Sequence, residues 1–227
     1  MSGDKQRRNR KTAENSRLPP ARERLLEAAY DVFVRNGFSG ATTDMIQSAS
    51  ETSKATMYAH FVSKEVLFHE MLEHRLSRTM SGYKELSKTI DDIANLLSAI
   101  GNELLQSILD REAIDLCRLI IAECVRFPHL GSLFFMVGPK VITDIVEMRL
   151  SEAHRRKELW VPEPDAAAEH FIGMIKGDFH FRALLGYQSP SHEKLRRHVD
   201  KSVAAFLAAH APDRAASGKP PVELKPV

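Results

Sequence analysis

Apolar residues recur at helical spacing along most of the chain. Leu25, Ala28, Ala29, Val32 and Phe33 stand at i, i+3, i+4, i+7 and i+8, one apolar helix face. Pro19-Pro20 opens this helix. Asn36-Gly37 stops it, because glycine takes a left-handed cap at little cost. Phe38 follows where it can pack back on the last turn. Thr42 is a good N-cap, and Asp44 suits the positive end of a helix. A short helix is predicted to about Ala49, with Met45, Ile46 and Ala49 on its inner side. Ser50-Glu51-Thr52 reads as a three-residue turn. Ser53 caps a second short helix through about Phe61. Ser63 caps a third, which carries Leu67, Phe68, Met71 and Leu72 and continues to about Ser81.

Beyond this point helices are predicted over about 89–109, 111–126, 128–137, 140–157, 165–186 and 191–210. Pro128, Gly138-Pro139, Pro162 with Pro164, and Ser189-Pro190 punctuate them. No stretch alternates with period two for long enough to make a strand. The fold class is therefore all-α, with a small N-terminal helical unit and a larger helical domain behind it. The expected organisation is a flexible basic arm over 1–18, a first domain over 19–65, a second over 66–210, and a disordered Pro-rich tail over 211–227.

Composition narrows the class. The chain has 227 residues, 43% hydrophobic and 27% charged, which is ordinary for a globular protein. That excludes a mainly disordered chain, a collagen-like chain and a disulfide scaffold. Cys117 and Cys124, seven apart in one predicted helix, lie about 10 Å apart along its axis. They are too far apart for a disulfide and read as small core residues. No apolar stretch approaches the roughly 18 residues of a membrane helix; the best candidate, Leu116 to Val125, is interrupted by Arg118 and Glu123. The basic N-terminus has no apolar core after it. The expectation is a cytoplasmic protein with no membrane partner.

The net charge of +2 hides an asymmetry. Residues 1–64 carry 11 Lys+Arg against 7 Asp+Glu, and the remainder carries 21 against 23. A basic arm before a small helical unit suggests a polyanion partner.

Two short helices joined by a three-residue turn, behind a longer helix, make a helix-turn-helix. The second of them, Ser53 to Phe61, is short enough to enter a major groove. Met57 and Phe61, four apart, face inward, while Thr56, Tyr58 and His60 face outward as donors for phosphate oxygens. Lys54 and Ala55 lead the helix, where lysine can read guanine acceptors and alanine a thymine methyl. Lys64 opens the next helix, where its ammonium and the helix N-terminus can jointly hold a phosphate.

Gly37-Phe38, Thr42-Thr43, Ile46, Ser53-Lys54-Ala55-Thr56-Met57-Tyr58, Phe61 and Ser63-Lys64-Glu65-Val66-Leu67 resemble the DNA-binding segment of the TetR family of bacterial transcriptional regulators. The resemblance covers about residues 21–72. It implies that Thr43, Thr56, Tyr58, His60 and Lys64 contact phosphate, and that Lys54, Ala55 and Ala59 face the bases. The chain departs from the family in three places. Its turn carries Glu51 and Thr52 where Gly then Val is usual, Ala59 stands where an aromatic residue or His is frequent, and Asp44 falls where some members reach a base with a basic residue. Farther on, Arg118-Leu119-Ile120-Ile121-Ala122-Glu123, Arg126-Phe127-Pro128 and Gly138-Pro139 look like the subgroup with an AefR-like C-terminal domain.

The resemblance implies a homodimer on a pseudo-palindromic double-stranded DNA operator, acting as a repressor that a small-molecule effector releases. An activator, or a regulator with no ligand, uses the same fold and stays open. The last two helices are the expected interface, with Phe171, Gly173, Met174, Gly177, Phe181, Leu185, Val199, Val203 and Phe206 as candidates, or as core of the single chain. Candidate liners of an apolar effector pocket are Phe127, Phe134, Phe135, Met136, Trp160, Phe179 and His180. No phosphate-binding glycine loop, nucleophile elbow, C-x-x-C or H-E-x-x-H occurs, and no two histidines stand four apart. No enzyme, cofactor or metal site is expected.

Overall fold

A computed structural model describes residues 20–212. The basic arm, and all of the expected tail but its first two residues, lie outside the described residues. Among the described residues the regular structure is helical: α1 (Ala21–Gly40), α2 (Thr43–Ser50), α3 (Lys54–His60), α4 (Lys64–Thr89), α5 (Ile93–Leu109), α6 (Arg111–Glu123), α7 (Pro128–Val137), α8 (Pro139–Arg155), α9 (Pro164–Lys176), α10 (Phe179–Leu184) and α11 (His192–Ala209). Two compact units divide between Met71 and Leu72, inside α4. The expected boundary at 65/66 falls short because the first turns of α4 belong to the first core. Phe68 packs edge-on against both Phe33, at 5.0 Å, and Phe38, at 5.2 Å.

In the first unit, the cap chemistry follows the local sequence. The Met45 amide donates to Thr42 Oγ1 at 3.2 Å, the Thr56 amide to Ser53 Oγ at 3.0 Å, and the Val66 amide to Ser63 Oγ at 3.2 Å. Each bond satisfies an amide that the helix itself leaves unpaired. Gly37 breaks α1 with φ 73°, and Phe38 stacks back on Phe33 at 5.7 Å. Leu25, Leu26, Ala29, Ile46, Met57 and Phe61 are among the residues buried with the three phenylalanines. The inner side of α2 is narrower than expected. Ile46 and Ser50 are buried, whereas Met45 is 44% exposed and Ala49 is exposed.

In the second unit, α5 is the central helix, and Leu96, Leu97, Ile100 and Leu104 are buried along it. Gly101 lets α11 approach closely: a Cβ added there would lie 2.9 Å from Val199 Cγ1. The expected helix end near 81 is a correction. Met80, Tyr83 and Ser87 continue a buried stripe, so α4 runs on to Thr89. The following helix starts at Ile93 rather than 89, because Asp92 Oδ1 accepts the Asn95 amide at 2.8 Å. The single helix expected over 165–186 is two helices. Gly177, at φ 47°, ends α9 with a backbone conformation that side-chain-bearing residues rarely adopt.

Residues 128–155 contain a stretch long and apolar enough to cross a membrane, which corrects the expectation that none exists. In the fold this stretch breaks at Gly138-Pro139 into α7 and α8. The second of these buries Ile142, Ile145, Val146 and Leu150 in the core. The same helix carries a charged group into that core. Arg149, 9% exposed, donates to the carbonyls of Ser87, Ile90 and Asp91, closing the C-terminal end of α4. Its Nε lies 3.3 Å from a Glu152 carboxylate oxygen. Cys117 and Cys124 are free and half-buried rather than core, and burial pushes the Cys117 thiol up from its ordinary range.

Candidate functional site

The surface of α3 follows from its two buried residues. Met57 and Phe61 are 2% and 0% exposed and fix which way the helix faces. The opposite side then presents Lys54, Ala55, Tyr58, Ala59 and His60, all exposed, on a helix of seven residues. Among them are an ammonium, a phenol, an imidazole and two small methyl-bearing positions. That mixture can hold phosphate oxygens with its donors while the alanines leave room for close approach to base edges.

The remaining expected contacts stand elsewhere and are partly engaged. Thr43, half-buried, begins α2. Thr56 is half-buried and shares a hydrogen bond of 2.8 Å with Ser53 Oγ. Lys64 is the clearest departure from expectation. Its Nζ donates to the Phe38 carbonyl at 2.8 Å and to the Ala41 carbonyl at 3.1 Å, and lies 4.6 Å from the Phe38 ring centre. Two of its three donors thus close the end of α1 rather than waiting for a phosphate.

The turn before α3 has its own supports. Glu51 takes a left-handed conformation with φ 52°, the position where the sequence departs from glycine. Ser50 and Thr52 share a hydroxyl hydrogen bond of 2.8 Å. Arg24 Nε of α1 donates to the Ser50 carbonyl at 3.1 Å and ties the turn to the longer helix. Sequence reasoning missed this tether. Nothing local signals it, since the partners are 26 residues apart.

In the second unit the expected interface residues split in two. Phe171, Val199, Val203 and Phe206 are buried within the single chain, with Phe171 edge-on to Phe206 at 5.2 Å. This removes them from the interface set, because side chains already enclosed have no surface left to share. Gly173, Met174, Gly177, Phe181 and Leu185 are exposed, Phe181 at 65% and Leu185 at 62%. Gly177 ends α9 rather than continuing a close-packing face. Tyr187, 63% exposed, was missed.

The expected pocket liners are scattered. Phe127 packs edge-on to His129 at 6.1 Å, Trp160 lies 5.3 Å from His154, and Phe179 meets His198 edge-on at 4.9 Å. Phe135, Met136 and Trp160 are exposed, at 53%, 56% and 41%. Their exposure argues against an enclosed apolar wall at those three positions. Phe127, Phe134, Phe179 and His180 are half-buried. Burial and the neighbouring Lys176 ammonium hold the His180 imidazole below its ordinary range.

Comparison with known proteins gives the same division. The family model for bacterial regulatory proteins of the tetR family matches residues 25–71. The model for the AefR-like transcriptional repressor C-terminal domain matches residues 95–212, just over half of the chain. Among curated relatives, the HTH-type transcriptional regulator UidR of Escherichia coli is 28% identical over 145 residues, spanning 62% of this chain and 69% of that protein. A TetR-family regulator from Mesorhizobium loti superposes with a TM-score of 0.73 at 28% identity, covering 84% of this chain and 96% of the other. The flavonoid-responsive regulator FrrA superposes with a TM-score of 0.71 at 27% identity, covering 85% and 97%. The chain is therefore a member of the TetR family of bacterial transcriptional regulators, a DNA-binding regulator and not an enzyme, with an AefR-like C-terminal domain.

Proposed function

We propose that this protein is a homodimeric repressor that binds a pseudo-palindromic operator and is released from it by a small apolar molecule. The observation that carries the reading is the exposed row Lys54, Ala55, Tyr58, Ala59 and His60 on α3, behind the buried Met57 and Phe61. Lys54, Ala55 and Ala59 read base edges. Tyr58, His60, Thr43 and Thr56 hold phosphate oxygens, and Lys64 adds its remaining donor.

Dimerisation supplies a second recognition helix, one helical turn of DNA away. The exposed apolar side chains Met174, Phe181 and Leu185 fit such an interface, with Gly173 preceding Met174 and open space beside it. An effector would bind in the second unit. The half-buried Phe127, Phe134, Phe179 and His180 are its candidate contacts, and the flavonoid-responsive neighbour FrrA supports an aromatic effector class. Allosteric coupling of about 1–3 kcal/mol would weaken operator binding by roughly 5- to 150-fold.

The test is selection of genomic fragments by the purified protein at near-physiological salt, followed by sequencing. The expected result is one short pseudo-palindrome next to a small set of genes. Fragments without a shared motif, in the presence and absence of cell extract, would overturn the reading.

A further inference from the structure

The junction between α8 and α9 folds back on itself through backbone bonds. The Glu158 amide donates to the Ala153 carbonyl at 2.9 Å. The Trp160 amide donates at 2.7 Å to the carbonyl of His210, just past the end of α11. The next amide belongs to Val161, which is fully buried, and it donates to a side chain: Nδ1 of His154, 3.2 Å away. A ring nitrogen accepts only when it carries no proton, so this bond requires a neutral imidazole with its hydrogen on Nε2. The indole of Trp160 lies 5.3 Å from the same ring. His210 stands in the opposite situation. Its Nδ1 faces the Phe206 carbonyl at 2.9 Å, so it donates, and a protonated ring donates equally well.

We infer that His154 is a proton-operated latch on this junction. With His154 neutral, the Val161 amide is satisfied and residues 157–161 stay folded between the end of α8 and the end of α11. With His154 protonated, both ring nitrogens carry hydrogens and the buried amide has no acceptor. A buried amide without a partner is costly, so the segment detaches and the Trp160 bond to His210 is lost with it.

Several charged groups around the junction pair with one another. On α8, Glu152 is matched by Arg149. Asp91 of the α4–α5 turn pairs with Arg156 at 2.9 Å, and Glu158 lies 3.9 Å from the same arginine. Arg155 and Lys157, both exposed, follow His154 in the sequence. Glu163 and Asp165, exposed at the start of α9, and His210 beyond α11 are the other ionisable groups that these elements bring to the junction. The latch lies wholly in the second unit and does not depend on the DNA reading.

Trp160 is the only tryptophan, so it reports directly on the junction. The experiment follows its emission and the exchange protection of the Val161 amide in the full-length protein, from about pH 8 to about pH 5. Far-UV circular dichroism is recorded in parallel. The expected result is a reversible one-proton change in emission and a fall in Val161 protection of about tenfold or more, with helicity unchanged. In H154N the amide oxygen keeps the acceptor near the Nδ1 position without a titrating group, so the emission change disappears and protection persists at low pH. In His210→Gln the transition remains. A transition that persists in H154N, one that vanishes only in the His210 variant, one that coincides with loss of helicity, or no transition at all would overturn the proposal.

Discussion

The Lys64 ammonium donates to the Phe38 carbonyl at 2.8 Å while lying 4.6 Å from the centre of the Phe38 ring. One side chain thus closes the end of α1 and covers the aromatic ring that the end of α1 buries. Charge-assisted hydrogen bonds and a cation over a ring are each favourable. Lys64→Met should therefore lower the stability of the DNA-free protein by about 2 kcal/mol, read by urea denaturation. If Lys64 served phosphate alone, DNA-free stability would be unchanged and only the salt dependence of DNA binding would move.

Glu51 tests the turn. A left-handed residue other than glycine costs about 1–2 kcal/mol, and its carboxylate sits at the negative end of α2. Glycine removes both penalties and gives back roughly half through its freer unfolded chain. Glu51→Gly should raise the melting temperature, by about 1 kcal/mol of added stability. A lower melting temperature would show that the carboxylate has a favourable role in the fold.

Gly101 tests the packing of α5 against α11. Alanine has the better helix propensity by about 1 kcal/mol, yet its Cβ would come within 2.9 Å of the fully buried Val199. Forcing a methyl into a filled core costs about 1–3 kcal/mol. Gly101→Ala should be net destabilising despite its propensity, as a lower urea midpoint.

Arg149 tests the closure of α4. Its guanidinium serves three carbonyls and an ion pair while nearly enclosed. Arg149→Met leaves those carbonyls with fewer donors and should cost about 3 kcal/mol, whereas lysine restores part of the loss. Equal stability of the two variants, measured by chemical denaturation, would show that the charge is dispensable there.

Phe181 and Leu185 test the proposed interface. Both are more than 60% exposed, so Phe181→Glu should leave the monomer's melting behaviour close to unchanged while shifting sedimentation from dimer to monomer. Unchanged dimer mass would move the interface to another face. Tyr58→Phe, tested separately by DNA binding, should weaken all sequences alike by about 1 kcal/mol under the proposed role of Tyr58, since a phosphate contact carries no sequence information.

Much of the fold was legible because its signals are local. Thr42, Ser53 and Ser63 were readable as caps, since an N-cap oxygen needs only the amide three residues on. Gly37 was readable as an interruption, and it breaks α1 at positive φ three residues before the helix ends at Gly40. The outward set on α3 followed from Met57 and Phe61, four apart on a short helix. The end of α4 was not legible, because Tyr83 and Ser87 continue the buried face only when α5 and α8 are packed beside them.

The amino-acid sequence by itself determined the helical class, the caps, the helix-turn-helix and its exposed residue types, because periodicity and capping act over a few residues. Tertiary structure alone decided which apolar residues stay outside. Phe171 and Phe181 look alike in the chain, yet one is enclosed and the other is 65% exposed. It also decided where the charged groups went. Lys64 turned inward to carbonyls 23 and 26 positions away, and Arg149 reached the end of a helix 62 positions earlier. A buried carbonyl must find a donor wherever the fold brings one, and no short window of sequence contains both partners.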